Sequence, residues 1–207
     1  MGTARDVFRM TKFGAAALAA SFVFSASPVA AQQPVRAGPK GIAEKKTTSL
    51  PKGPLFWRVE SFPTLAQAQS AAGPTSLAAE SAGKAWLVTL GGPGQASKGA
   101  NKVAEIGPIP IVTAAEYLLQ LREGDGKPGG KTPVHTHPGS EAFYVVSGEQ
   151  TTKTSTGVVH TTGGQTVLGP DPGTPMQVSN ESKTDNLRQL IMFVLDSSKP
   201  FSTPASF

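Results

Sequence analysis

The chain has 207 residues, a formal net charge of +5 and no cysteine. The lack of cysteine excludes disulfides, thiolate metal sites and lipoprotein acylation. The basic excess is no nucleic-acid footprint: Arg5, Arg9 and Lys12 against Asp6 fall in residues 1–31, which leaves +3 for the remainder, and Lys45-Lys46, the only adjacent basic pair, has no aromatic residues interleaved with it.

In chain order, residues 1–31 read as a secretory signal peptide. Arg5, Arg9 and Lys12 form the basic region, Phe13 to Phe24 the apolar run, and Val29-Ala30-Ala31 the small-residue cleavage site. The apolar run is too short to span a bilayer comfortably, so no stable membrane anchor is expected after cleavage. The product is expected in the periplasm or the medium. Its roughly 176 residues are within the range of one domain.

Residues 32–53 are rich in Pro, Gly, Lys and Gln and read as a flexible linker. Residues 54–100 read as an N-terminal extension that packs on the following domain or closes its mouth. Within it, Leu55 to Val59 reads as a strand, Thr64–Ala72 and Ser76–Ala82 as alanine-rich short helices, and Ala85 to Leu90 as a strand. The glycines of 91–99 do not make a phosphate-binding loop, because no Gly-Lys-Ser/Thr follows.

Residues 101–198 read as an antiparallel barrel of short strands separated by Gly/Pro turns. Ala114 to Arg122 alternates, with Ala115, Tyr117, Leu119 and Leu121 on one face. Further strands are expected at 149–155, 158–162, 165–168, 176–179 and 187–195. Ser147-Gly148-Glu149 reads as a tight hairpin turn.

The chemistry is concentrated in residues 129–148, which hold two of the three histidines. If 133–137 is extended, His135 and His137 share a face, since residues two apart in a strand point the same way. Pro138-Gly139-Ser140 reads as a turn, after which Glu141 opens a strand. Glu141, Phe143, Val145 and Ser147 then lie on one face, and Ala142, Tyr144 and Val146 on the other. Two imidazoles and a carboxylate suit Fe(II), Mn, Ni, Cu or Zn and leave positions open on the ion.

Gly129, five residues, His135-Thr136-His137, three residues, Glu141, six residues, Gly148: this spacing resembles the first motif of the cupin superfamily. A second motif follows as Gly164, five residues, Pro170-Asp171-Pro172-Gly173, two residues, Met176, three residues, Asn180. It is one residue longer than the family pattern between its proline and its glycine. Met176 stands where the family places a fourth ligand, a histidine. The resemblance covers about residues 105–196 and implies an all-β fold, a double-stranded β-helix or jelly-roll barrel with a metal in its mouth. It implies His135, His137 and Glu141 as metal ligands, with Met176 at the fourth position as a weak, soft donor. It also makes a homodimer paired through edge strands a reasonable expectation. His160 is not at a ligand position and is expected on the barrel exterior.

Fold alone does not select a function. One reading is a secreted cupin that binds a divalent transition metal and oxidises or isomerises a small organic molecule. The alternative is a non-catalytic module that holds a sugar or an organic acid, its fourth ligand lost. A third is a structural surface protein. Tyr117, Tyr144 and Gln177 are candidate pocket contacts.

Overall fold

The computed structural model describes residues 1–2 and 39–207. The expected signal peptide, beyond its first two residues, and the first part of the expected linker lie outside the described residues. The chain divides into two units, Met1–Ala31 and Gln32–Phe207, and the architecture below is that of the second.

Its elements in order are β1 (Lys40–Thr47), β2 (Phe56–Phe62), α1 (Leu65–Ser70), β3 (Ser76–Ser81), β4 (Lys84–Gly91), β5 (Asn101–Ile106), β6 (Tyr117–Gly126), β7 (His135–Thr136) and β8 (Gly139–Ser147). There follow β9 (Glu149–Thr154), β10 (Gly157–Thr162), β11 (Thr166–Leu168), β12 (Met176–Ser179), β13 (Leu187–Asp196) and β14 (Thr203–Pro204). They form three antiparallel sheets: a central one in the order β1-β6-β13-β8-β11, a second β10-β9-β12-β7-β14, and a third β3-β4-β2-β5. The protein is all-β, a jelly-roll type of barrel with an added sheet.

Side-chain alternation explains the layering. On β8 and β13, Phe143, Ile191, Phe193 and Leu195 pack with Met176 and Val178 of β12 and form the barrel interior. The opposite rows, Ala142 on β8 and Leu190, Met192 and Val194 on β13, pack against Trp57, Val59, Trp86 and Val88 of the third sheet. The central sheet is therefore covered on both faces, and the segment 54–106 supplies one of the covers. On the far side of that third sheet, α1 buries Ala68 against Phe62, Ala85 and Leu87. Thr64 caps the helix by accepting from the Gln67 N–H.

The segment 40–47, expected within the flexible linker, is a strand. It pairs with β6 from Lys40↔Glu123 to Thr47↔Tyr117. Its composition is that of a charged edge strand rather than a linker. Ladder hydrogen bonds to β6, burial of Ile42 and Ala43, and the Gln120 Nε2 donation to Glu44 at 2.8 Å hold it. Ser76–Ser81, expected to be helical from its alanines, is β3. It forms a hairpin with β4 through Ala82-Gly83, both at positive φ, and cross-strand pairing overrides the helical propensity. The barrel also differs at its limits: β5 belongs to the third sheet, while β1 and β14 lie outside 101–198 and belong to the barrel sheets.

Gly148 is a sheet-changing corner, not a hairpin turn. β8 lies in the central sheet and β9 in the second, so the two strands it joins are not paired. Its φ is +83°, and a side chain there would meet the Asn186 carbonyl oxygen at 2.5 Å and Leu187 Cα at 2.9 Å. A Cβ on Gly139 would likewise press on the β13 backbone, with Leu195 Cα at 2.8 Å. Gly148→Ala and Gly139→Ala should each cost about 1–3 kcal/mol in urea unfolding. Gly157→Ala, where nothing lies within 4 Å, should change little. Equal stabilities for all three variants would contradict the close backbone approach to β13.

Candidate metal and ligand site

The barrel interior opens into a cavity of about 350 Å³. Its walls are largely apolar, with Phe143, Val178, Ile191, Phe193 and Phe201 prominent. Its polar lining residues include Arg122 from β6, His135 from β7, His137 just beyond it, Glu141 from β8 and Gln189 from β13.

β7 is held by β12 on one side and β14 on the other, through Met176↔His135 and Thr203↔Thr136. After it, the second-motif turn fixes the chain: the Gly173 N–H donates to the His137 carbonyl at 3.0 Å. Glu141 is fixed from both sides of its strand. It pairs with Phe193 on β13, and its carbonyl accepts from the Gly169 N–H at 2.8 Å. Asn180, which closes the second motif, is structural. Its amide nitrogen donates to the Gly126 and Asp185 carbonyls, and its oxygen accepts from the Ser182 N–H.

Both site histidines turn Nδ1 toward a backbone carbonyl, His135 to Pro133 at 2.9 Å and His137 to Phe201 at 2.7 Å. A carbonyl oxygen only accepts, so each Nδ1 carries the proton, and in the neutral ring the lone pair is on Nε2. That is the tautomer a metal-binding imidazole uses when its other nitrogen is held by the protein. The rings lie 4.8 Å apart, nearly perpendicular. His137 is wedged between Phe193 and Phe201, with centroids at 5.0 and 4.8 Å. Burial pushes its pKa down to about 4, aided by the nearby His135 and Arg122 and opposed by the Phe201 carbonyl. The ring is therefore neutral at ordinary pH, as ligation requires.

His137 Nε2 lies 3.9 Å from Glu141 Oε1. Two donors on one first-row ion, each about 2.1 Å from it, are roughly 3–4 Å apart, so this pair is compatible with one ion. The full set is looser. Among the described residues, no three His, Asp or Glu side chains gather as a ready-made metal cluster. Tautomer, charge and residue type fit a divalent ion; the convergence of all three donors is not present.

Met176 pairs with His135 across β12 and β7. It is 2% exposed and packs with Phe143, Phe193 and their neighbours in the apolar cluster, and it is not part of the cavity wall. The other candidate pocket contacts also sit elsewhere. Tyr144 packs edge-on against Trp86, and Tyr117 lies against the same core on the side of the third sheet. Gln177 donates to the Thr132 carbonyl at 2.8 Å. His160 lies on β10, hydrogen-bonded to Thr151 at 3.0 Å.

Sequence reasoning missed Arg122, Gln189 and Phe201. The Arg122 guanidinium stacks on the Phe201 ring at 4.4 Å, donates through Nε and Nη2 to the Pro39 carbonyl, and donates through Nη1 to Gln120. Gln189 could have been found, as the one uncharged polar residue among the apolar residues of β13, on the same strand face as Ile191 and Phe193.

Residues 125–193 match the family model described as Cupin domain. This agrees with the sheet order, and the fold is the cupin type of double-stranded β-helix. Among solved structures, the chain is similar to a putative sugar phosphate isomerase from Acidithiobacillus ferrooxidans, at 26% identity over 37% of this chain and 49% of that one, with a TM-score of 0.33. It is also similar to a DMSP lyase from Ruegeria pomeroyi, at 17% identity over 42% and 43% of the two chains, TM-score 0.37. A cupin-like protein from Thermotoga maritima aligns at 16% identity over 42% and 65%, TM-score 0.37. Each alignment spans less than two thirds of the other chain. No curated protein matches.

The buried His137 gives stability a defined pH dependence. Unfolded, the ring takes up a proton near pH 6.5; folded, only near 4. Between those values the unfolded state binds more protons, so stability falls as pH is lowered, by up to about 3 kcal/mol from this group. His137→Gln should remove that part, and its unfolding free energy should drop less than the wild type's between pH 7 and pH 4. An identical pH slope in the two proteins would mean that His137 is not held neutral.

Proposed function

We propose that the chain is a secreted cupin that binds a divalent transition metal, Fe, Mn, Ni, Cu or Zn, through His135, His137 and Glu141, beside a cavity for a small organic molecule. The observation that carries this reading is the pair of imidazoles held with Nδ1–H on backbone carbonyls, which leaves Nε2 of each ring as the donor atom, that of His137 3.9 Å from Glu141 Oε1. A bound ion would supply Lewis acidity and a template for oxidation or isomerisation of the molecule. The chain's own contribution is to keep His137 neutral, to fix its orientation through Phe201, and to exclude water with aromatic walls.

The alternative, a non-catalytic small-molecule module, is favoured by a specific observation: the three donors are not drawn into a closed cluster, and Met176 takes an apolar role. Elemental mass spectrometry on untagged protein, before and after incubation with each metal, separates the two. About one ion per chain is expected, and none in the His135→Ala, His137→Ala double variant. Met176→Leu conserves volume, so it should keep the metal and cost less than about 1.5 kcal/mol. Metal retained in the double variant would refute the ligand assignment. Metal lost in the Met176 variant would make the thioether a ligand after all.

Export and pairing belong to the same proposal. Sequencing the N-terminus of protein recovered from outside the cytoplasm should begin at Gln32. Light scattering on that sample should give twice the chain mass if copies pair through β10, an edge strand that exposes Val158 and Val159. A cytoplasmic, uncleaved chain would reject export, and a monomer at high concentration would reject pairing.

A further inference from the structure

We infer that Gln189 is the recognition residue of the cavity and that its ligand is a small planar molecule bearing a neutral carboxamide or lactam. The inference rests on the small-molecule reading of the cavity above, but not on the metal.

Gln189 lies in the middle of β13, between Gly124 of β6 and Val145 of β8. It is 1% exposed and is one of the residues that line the cavity. Among the described residues, neither its amide nitrogen nor its oxygen has a hydrogen-bond partner. Buried polar groups are overwhelmingly bonded, so an amide buried unbonded at both ends in the cavity wall marks a partner that the protein itself does not provide. Gln150 is a useful contrast. Its oxygen is unbonded, but its nitrogen is held by Thr152 at 2.9 Å, and it does not reach the cavity.

The chemistry of the ligand follows from what a primary amide offers. It presents an acceptor and donors side by side in one plane. A carboxamide or lactam returns a donor and an acceptor in the same plane and satisfies both. A carboxylate has no donor for the Gln189 oxygen. An ester or ketone satisfies only the nitrogen. A cavity of about 350 Å³ is at the small end of ligand sites, which run from about 300 to 1,000 Å³. The rings of Phe193 and Phe201 meet edge-on at 5.1 Å, and aromatic walls of this kind suit a flat, ring-bearing body.

The test uses benzamide as probe, with methyl benzoate, benzoate and toluene as matched controls. Binding is measured by calorimetry on the chain without its leader, metal-stripped with EDTA, and on Gln189→Leu. Wild-type protein should bind benzamide at least tenfold more tightly than any control, and the Leu variant should bind benzamide and toluene alike. The variant should fold and melt no lower than the wild type, because an unbonded buried amide is replaced by an apolar group. A measurement that needs no variant supports it: the Gln189 side-chain NH2 resonances should shift on addition of benzamide and not of toluene. Equal benzamide preference in both proteins, no binding at millimolar probe, or unmoved NH2 resonances would overturn the inference. The metal content of Gln189→Leu, measured in parallel, keeps the two readings apart. Metal with no benzamide preference sinks only the role of Gln189, and benzamide preference with no metal sinks only the metal site.

Discussion

The structure depends on β13 being buried on both faces. Nine of its ten residues are buried, and it lies between β6 and β8 at the centre of the central sheet. One row of its side chains faces the third sheet and the other faces the barrel interior. A one-residue slip in register would exchange the two rows, moving Gln189 out of the cavity and Leu190 into it. Because both rows are packed, neither exchange is tolerated, and the pairing Phe193↔Glu141 is fixed with it. The site thus inherits its precision from a strand that carries only one of its polar groups.

The opposite side of the cavity is built by chain segments that flank the barrel. Phe201 follows β13, and Pro39 precedes β1. Arg122 joins them, stacking on one and donating to the carbonyl of the other. Phe201 also accepts from His137, so the imidazole's orientation depends on the C-terminal segment seated by β14 on β7. This is an outer layer acting on an inner one: the Phe201 carbonyl sets which nitrogen of His137 faces the cavity, and its ring helps to desolvate that nitrogen.

What was legible in the sequence was what a period of two and a rigid spacing encode. The strands from 117 to 196, the opposed faces of β8, and the nearness of His137 to Glu141 all follow from alternation and from the glycines that bound the first motif. What was not legible depended on partners distant in sequence. β1 has the composition of a solvated segment and is a strand only because β6 offers it an edge. β3 has a helix former's composition and is a strand because β4 returns alongside it. Gly148 carries the positive φ expected of a turn, but local sequence does not reveal whether the chain then pairs with itself or crosses to another sheet. Met176 was placed at a ligand position by spacing, and the apolar neighbours it packs with, Ile191 and Phe193, come from the next strand.

The polar groups of the cavity are not equivalent, and the difference bears on which of them folding requires. His137 has its Nδ1 satisfied by Phe201, and its desolvated ring packs among aromatics as a large apolar side chain would. Its burial costs little so long as it stays neutral. Gln189 has no such compensation. Leaving the donor and acceptor of a buried amide unbonded costs about 1–3 kcal/mol for each group, whereas a leucine of similar size at the same place would add favourable burial. Packing alone therefore argues against glutamine at this position, while His137 is consistent with packing and with ligation alike. Of the two, Gln189 is the stronger mark of function, because the fold by itself gives no reason for it.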